Sequence, residues 1–156
     1  MPIYLDGLVN GWQDWSWSIS GDLAATDYVY QGAYAIAADS EPWGALSFWH
    51  TAFRAEGYYW LEFYVRGSVD GEPALEVFFE TAAGAALPTV PVNDCRITEA
   101  GGIGAGTWRR VRIPLSDLDA FGHDLSRVTI QNKSGVSTYT FWIDGMQLVG
   151  AYEAPY

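Results

Sequence analysis

From Tyr58 to Gly67 the chain alternates between two kinds of position. Tyr59, Leu61, Phe63 and Val65 are apolar, while Trp60, Glu62, Tyr64 and Arg66 mix rings with charge. A period of two belongs to a strand, whose side chains point to opposite faces in turn. The first set is predicted to be core. The second is too aromatic for an indifferent solvent face, so the expectation is a sheet with rings on its outer surface.

The pattern recurs along the chain. Tyr4 to Leu8 reads as a short first strand. In Asn10 to Ile19, Trp15, Trp17 and Ile19 share one face, with Asp14, Ser16 and Ser18 on the other. Ser20-Gly21-Asp22 and Gln31-Gly32 read as turns. Ala33 to Ala38 form a predicted strand with Tyr34 and Ile36 inward. Glu41-Pro42 breaks the chain, and Trp43 to His50 resume it with Leu46 and Phe48 inward and Ser47 and Trp49 outward. Ser68 to Pro73 is a hairpin-type connection. Ala74 to Thr81 follow, with Leu75, Val77 and Phe79 inward and Glu76, Phe78 and Glu80 outward. A short strand is expected near Val90-Pro91-Val92, and longer ones at Trp108 to Leu115, Arg127 to Asn132 and Tyr139 to Val149. Ser116 to Phe121 reads as one helical turn capped by Ser116. Nothing carries the period of an ordinary helix. Strands of this length between turn signals predict an all-β sandwich or barrel, a single domain over residues 1–152 with a tail at 153–156.

Composition sharpens this picture. A chain of 156 residues with 49% hydrophobic positions builds one core and is not a disordered segment. Eight Trp and ten Tyr exceed what one core of that size needs, so some rings are expected at the surface as binding positions. The plain alternative is that large all-β domains use many aromatics anyway. A net charge of -11 makes nucleic acid and anionic membranes poor partners, and acidic polysaccharides likewise. Neutral and cationic ligands stay open. Cys95 is the single cysteine, so no internal disulfide forms. No signal peptide and no membrane-spanning run is visible.

Three segments carry a family resemblance. Tyr58 to Gly67 resembles a "Y..LxFYVRG" strand, Trp108 to Leu115 a "W..V.IPL" strand, and Thr140 to Leu148 a closing "TFYIDDI.L" strand. In this order and spacing the chain resembles the jelly-roll carbohydrate-binding modules, galactose-binding-like β-sandwiches attached to glycoside hydrolases. The resemblance implies a two-sheet antiparallel β-sandwich with jelly-roll topology. One sheet would hold the strand after Gln31-Gly32, the Tyr58 strand, the Trp108 strand and the last strand. The other would hold Trp43–His50, Ala74–Thr81, the Val92 region and Arg127–Asn132. It implies a non-catalytic, monomeric, secreted module of a longer enzyme, binding a neutral polysaccharide of the β-glucan, xylan or mannan type.

A sugar ring has apolar C–H faces and a rim of hydroxyls, so it is bound by flat rings with carboxylates, amides or Arg beside them. The outward positions of the second sheet supply these types. Trp43, Trp49 and Gln131 are the first candidates, then Glu80, Phe78 and Glu76; the alternative for either Trp is packing under a loop. The first sheet competes with Trp60, Tyr64, Arg66 and Trp142. Those residues read as a stabilising cross-strand ladder, with Arg110 or Arg112 pairing Glu62, as a second sugar surface, or as a face covered by the Trp12–Trp17 segment. The resemblance also implies a structural Ca2+ held by Asp6, Asp144 and the Gln31 carbonyl. Gly145 stands where such modules often carry a second Asp, and the alternative is a capped turn or ion pair.

Catalysis finds little support. His50 and His123 lack metal-ligand spacing to each other or to Cys95, and no nucleophile elbow appears. Glu76 and Glu80 lie ~13 Å apart along one strand, beyond the usual glycosidase pair. A compact sandwich glycosidase or lyase remains the enzyme alternative, and a protein-interaction or adhesion domain is the third.

Overall fold

A computed structural model of the chain describes residues 1–68, 74–94, 97–99 and 102–150. Ten strands follow in order: β1 (Pro2–Tyr4), β2 (Gln13–Asp14), β3 (Trp17–Ala25), β4 (Ala35–Phe53), β5 (Tyr58–Gly67), β6 (Leu75–Thr81), β7 (Val90–Pro91), β8 (Trp108–Pro114), β9 (Leu125–Asn132) and β10 (Tyr139–Gly150). All their pairings are antiparallel. No helix occurs among the described residues. Cys95 and the 153–156 tail lie outside them.

The hydrogen-bonded order is β7-β6-β9-β4-β10-β5-β8, with β1 on β10 and β2 and β3 on β4. β4 belongs to both layers. Its residues 36–40 pair with β10, and residues 45–53 pair with β9. The first layer therefore holds the start of β4 with β10, β5 and β8, and the second holds the end of β4 with β9, β6 and β7. These are the sheets that the resemblance implied. The two strands expected on either side of Glu41-Pro42 are one strand, and the break is a corner in it. Trp43 takes a φ of 64° there. Gly44 follows because a Cβ on it would stand 2.2 Å from the Ser18 carbonyl oxygen.

Ser20-Gly21-Asp22 is likewise no turn. It runs inside β3, with Gly21 opposite Ala38 and Asp22 opposite Ala37. β3 hydrogen-bonds alongside β4 there, and pairing overrides the local turn propensity. Ser116 to Phe121 forms reverse turns in place of a helical turn. Asp119 sits at a φ of 50°, and Leu115, Leu118 and Ala120 plug the segment into the core.

Alternation predicts the core well. Leu46, Phe48, Leu61, Phe63, Val65, Val77, Phe79, Val111, Ile113, Val128, Ile130, Phe141, Ile143, Met146 and Leu148 are all buried between the layers. Each such side chain contributes about 1.5–3 kcal/mol by leaving water. Tyr59 and Tyr34 break the expectation, being 57% and 40% exposed. Tyr59 lies at the start of its strand, and Tyr34 lies just before β4.

Candidate functional site

Residues directly opposed across a ladder share a face. On the outer face of the second layer one row runs Glu80, Arg127, Trp49, Gln13. The next runs Phe78, Thr129, Ser47, and is extended by the Trp15 amide donating to the Ser47 carbonyl at 2.8 Å. The third runs Pro91, Glu76, Gln131, Ala45, Trp17. Register alone thus gathers indoles, carboxylates, an amide and Arg127 on one surface.

The rings are locked. Trp15 stacks on Trp49 with centroids 5.0 Å apart and planes 7° from parallel. The Trp43 carbonyl accepts from Trp17 Nε1 at 3.0 Å and from Gln131 Nε2 at 2.8 Å. The Trp43 ring lies over Gly135, where a Cβ would come within 3.1 Å of it. Trp43 and Trp15 remain 52% and 46% exposed, so flat apolar surface faces water. Arg127 ties the rows together. Its Nε donates to Ser47 Oγ at 2.5 Å and its Nη2 to the Trp15 carbonyl at 2.8 Å. Its Nη1 is 3.5 Å from Glu80 Oε2, and its guanidinium sits 5.5 Å and 5.3 Å from the Trp15 and Trp17 rings. Lys133 Nζ lies 3.8 Å from Glu76 Oε2 and 5.5 Å from the Phe78 ring.

Trp43, Trp49, Gln131, Glu80 and Glu76 therefore share this surface. Phe78 lies on the same face but is buried at 6% exposure, so it supports the surface and offers no ring to solvent. The sequence reading omitted Trp15, Trp17, Arg127 and Lys133 from the site. Trp15 and Trp17 alternate in plain view, and Arg127 has the parity of Gln131. What the sequence withheld was that this Trp-bearing segment joins the second layer.

The outer face of the first layer is covered around Tyr64 and Trp142. Tyr30 stacks on Tyr64 at 3.7 Å and 17°, and Tyr28 meets Trp142 edge-on at 4.8 Å. The Arg66 guanidinium lies 3.8 Å from the Tyr28 ring. Burial, reinforced by Tyr30, pushes the Tyr64 phenol up to about 12. Glu62 pairs with Arg112, directly opposite it. The cover is the segment around Tyr28 to Gln31, not Trp12–Trp17, and the ladder reading describes this face.

Asp6 and Asp144 grip that same covering segment. Asp6 Oδ1 accepts from the amides of Ala33 at 2.8 Å and Tyr34 at 3.0 Å. Asp144 Oδ2 accepts from those of Tyr30 and Gln31, both at 3.0 Å, and its Oδ1 from Gly145 at 2.7 Å. A Ca2+ site needs converging oxygens. Here the Gln31 backbone presents its N–H to the carboxylate, and no cluster of three metal-ligating side chains occurs among the described residues. Both carboxylates thus act as caps on one loop.

These groups set a pH response. Burial raises the Asp144 carboxyl above the ordinary carboxylate range, against the pull of its three N–H partners. A raised acid contributes stability below its unfolded value, which is lost as pH rises through the folded one. Glu56 goes the other way. The Arg54 side chain and the Gly122 amide lower it to about 2, so its contribution holds above 4.5 and is lost as pH falls through about 2. Self-repulsion at a net charge of -11 also eases on acidification. The melting temperature is therefore expected to rise as pH falls from neutral through the raised Asp144 value, and to fall again as pH drops from 4.5 toward about 2, where Glu56 is protonated. A melting temperature that climbs steadily up to pH 8 contradicts this account.

No family model matches the chain, and no curated protein matches it. Solved structures do. A point mutant of a family 29 carbohydrate-binding module is 17% identical, over 100% of this chain and 96% of that one, with a TM-score of 0.63. A mutant of that module in complex with mannohexaose is 16% identical over 94% of this chain and 87% of that one, at a TM-score of 0.62. A β-1,2-glucanase from Parabacteroides distasonis is 17% identical at a TM-score of 0.68; the match takes in 96% of this chain but 25% of the enzyme. At such identities the likeness shows the fold alone: the chain shares the antiparallel β-sandwich of these structures.

Proposed function

We propose that this chain is a non-catalytic carbohydrate-binding module that lays a neutral polysaccharide of the β-glucan, xylan or mannan type across the outer face of its second layer. One observation carries the reading: the Trp15–Trp49 stack and the exposed Trp43 form flat apolar surface on a sheet that also presents Arg127, Gln131, Glu80 and Glu76. Sugar C–H faces meet the indoles, and hydroxyls meet the polar rows. The structures of similar fold support it, since complexes with mannohexaose and cellulohexaose stand among them. Glu80 and Glu76 face Arg127 and Lys133 at 3.5 Å and 3.8 Å, an arrangement that favours fixed acceptors over an acid and base pair.

The glucanase match supports a role beside an enzyme, because there a domain of this fold occupies part of a longer glycan-acting chain. A monomeric module in a secreted enzyme would raise the local concentration of substrate at the catalytic domain. Affinity electrophoresis against soluble β-glucans, xylan and mannans tests the reading. Retardation in at least one gel is expected. Free migration in all, with no adsorption to insoluble cellulose or chitin, sinks it. Reducing-sugar release by the isolated chain would revive the enzyme alternative.

A further inference from the structure

A second surface feature has no part in the platform. Between the β4–β5 connection and the turns after β8 lies a cleft of 520 Å³, within the size range of small-ligand sites. Tyr58, Tyr59 and Trp60 wall it from β5, and Phe121 closes it from the turns. Tyr59 and Phe121 are 57% and 40% exposed, while Leu61, Phe63 and Val65 further along β5 are sealed in the core. At the rim, Glu56 Oε1 accepts from the Gly122 amide at 3.0 Å and from Arg54 Nη2 at 2.8 Å, and its Oε2 accepts from Arg54 Nε at 3.2 Å. These bonds fix a carboxylate between the two connections and leave lone pairs for further donors. Ser116 adds a hydroxyl.

The electrostatics narrow the ligand. Glu56 is paired with Arg54, which it shares with Asp124 at 3.7 Å, so the rim is rich in acceptors and does not call for an anion. Rings for walls and carboxylate oxygens at the rim suit a molecule with apolar faces and hydroxyl donors. We infer that this cleft is a second saccharide site, taking one or two pyranose units of a chain end between Tyr59 and Phe121, with Glu56 accepting from their hydroxyls. The platform lies on the second layer, whereas β5 and β8 belong to the first, so the two sites are separate. The inference goes beyond the platform and rests on the glycan-binding reading for its choice of probe.

The test is an NMR titration of the full chain with cellobiose and with β-1,4-mannobiose, following aromatic and amide signals. Saturable shifts are expected at Tyr59, Phe121, the Trp60 indole and the Gly122 amide with at least one sugar. Tyr59→Ala with Phe121→Ala should weaken that response about tenfold or more, while retardation by polysaccharide through the platform stays intact. Both rings are exposed, and the melting temperature checks that the variant folds. Glu56→Gln gives a second, shape-preserving variant that should also weaken binding. Shifts confined to Trp15, Trp17 and Trp49 overturn the cleft and leave the platform standing. Silence everywhere in a chain still retarded by polysaccharide also overturns it, as does a cleft response that survives the double variant. Silence together with free migration in every gel overturns both.

Discussion

Trp49→Ala is expected to lower affinity for the preferred polysaccharide at least thirtyfold, about 2 kcal/mol, and Trp15→Ala by a similar factor. Each removes half of a stacked pair, and the survivor then lies against nothing on that side. The losses will not add, because the two rings support one another. The double variant should run unretarded in every gel. Tyr64→Phe serves as the control, since its ring is stacked beneath Tyr30 on the opposite layer and should leave retention unchanged. Trp15 and Trp49 stand outside the main core, so far-UV circular dichroism and cooperative melting should persist. Full retention by a folded double variant would show that the indoles do not make the contact.

Asp144→Ala should produce the largest loss of stability, roughly 3–5 kcal/mol. The carboxylate is fully buried and receives three backbone N–H groups. Without it those donors lose their acceptor in a site that water barely enters, and the hold on the Tyr30 loop weakens. For a domain of this size that is a fall of ~10 °C in melting temperature. The Tyr30–Tyr64 stack should loosen with it. The experiment also separates a loop cap from a cation site. On the capping account EDTA leaves the melting temperature of the unsubstituted chain unchanged. A fall with EDTA that is absent in Asp144→Ala would show that a divalent cation sits there after all.

How much was legible beforehand depended on distance along the chain. Phe63 and Ile143 announce themselves as core because alternation is a local property, read within a few residues. The same parity placed Trp49, Glu80 and Gln131 on outward faces correctly. Phe78 has that parity too, yet it is buried, with Lys133 over its ring, a contact that no local pattern records. The assignment of Trp15 and Trp17 failed for the same reason. Their alternation was clear, but their pairing partners Ser47 and Ala45 lie about thirty residues away and decide which layer they join. Asp6 and Asp144 were recognised as a constellation, while their ligand depended on whether the Tyr30 loop turned N–H or C=O groups toward them. A sequence cannot show that orientation.

The corner in β4 has a mechanical consequence. If the chain tethers an enzyme to a solid, as proposed, it works under tension, and a sandwich of two independent sheets can fail by peeling one from the other. Here Trp43 sits where a single strand, β4, crosses between the layers, with β9 paired to its residues after the corner, β10 to those before it and β3 to both. Drag on a sugar chain held by the indoles would therefore be shared at once among ladders in both layers.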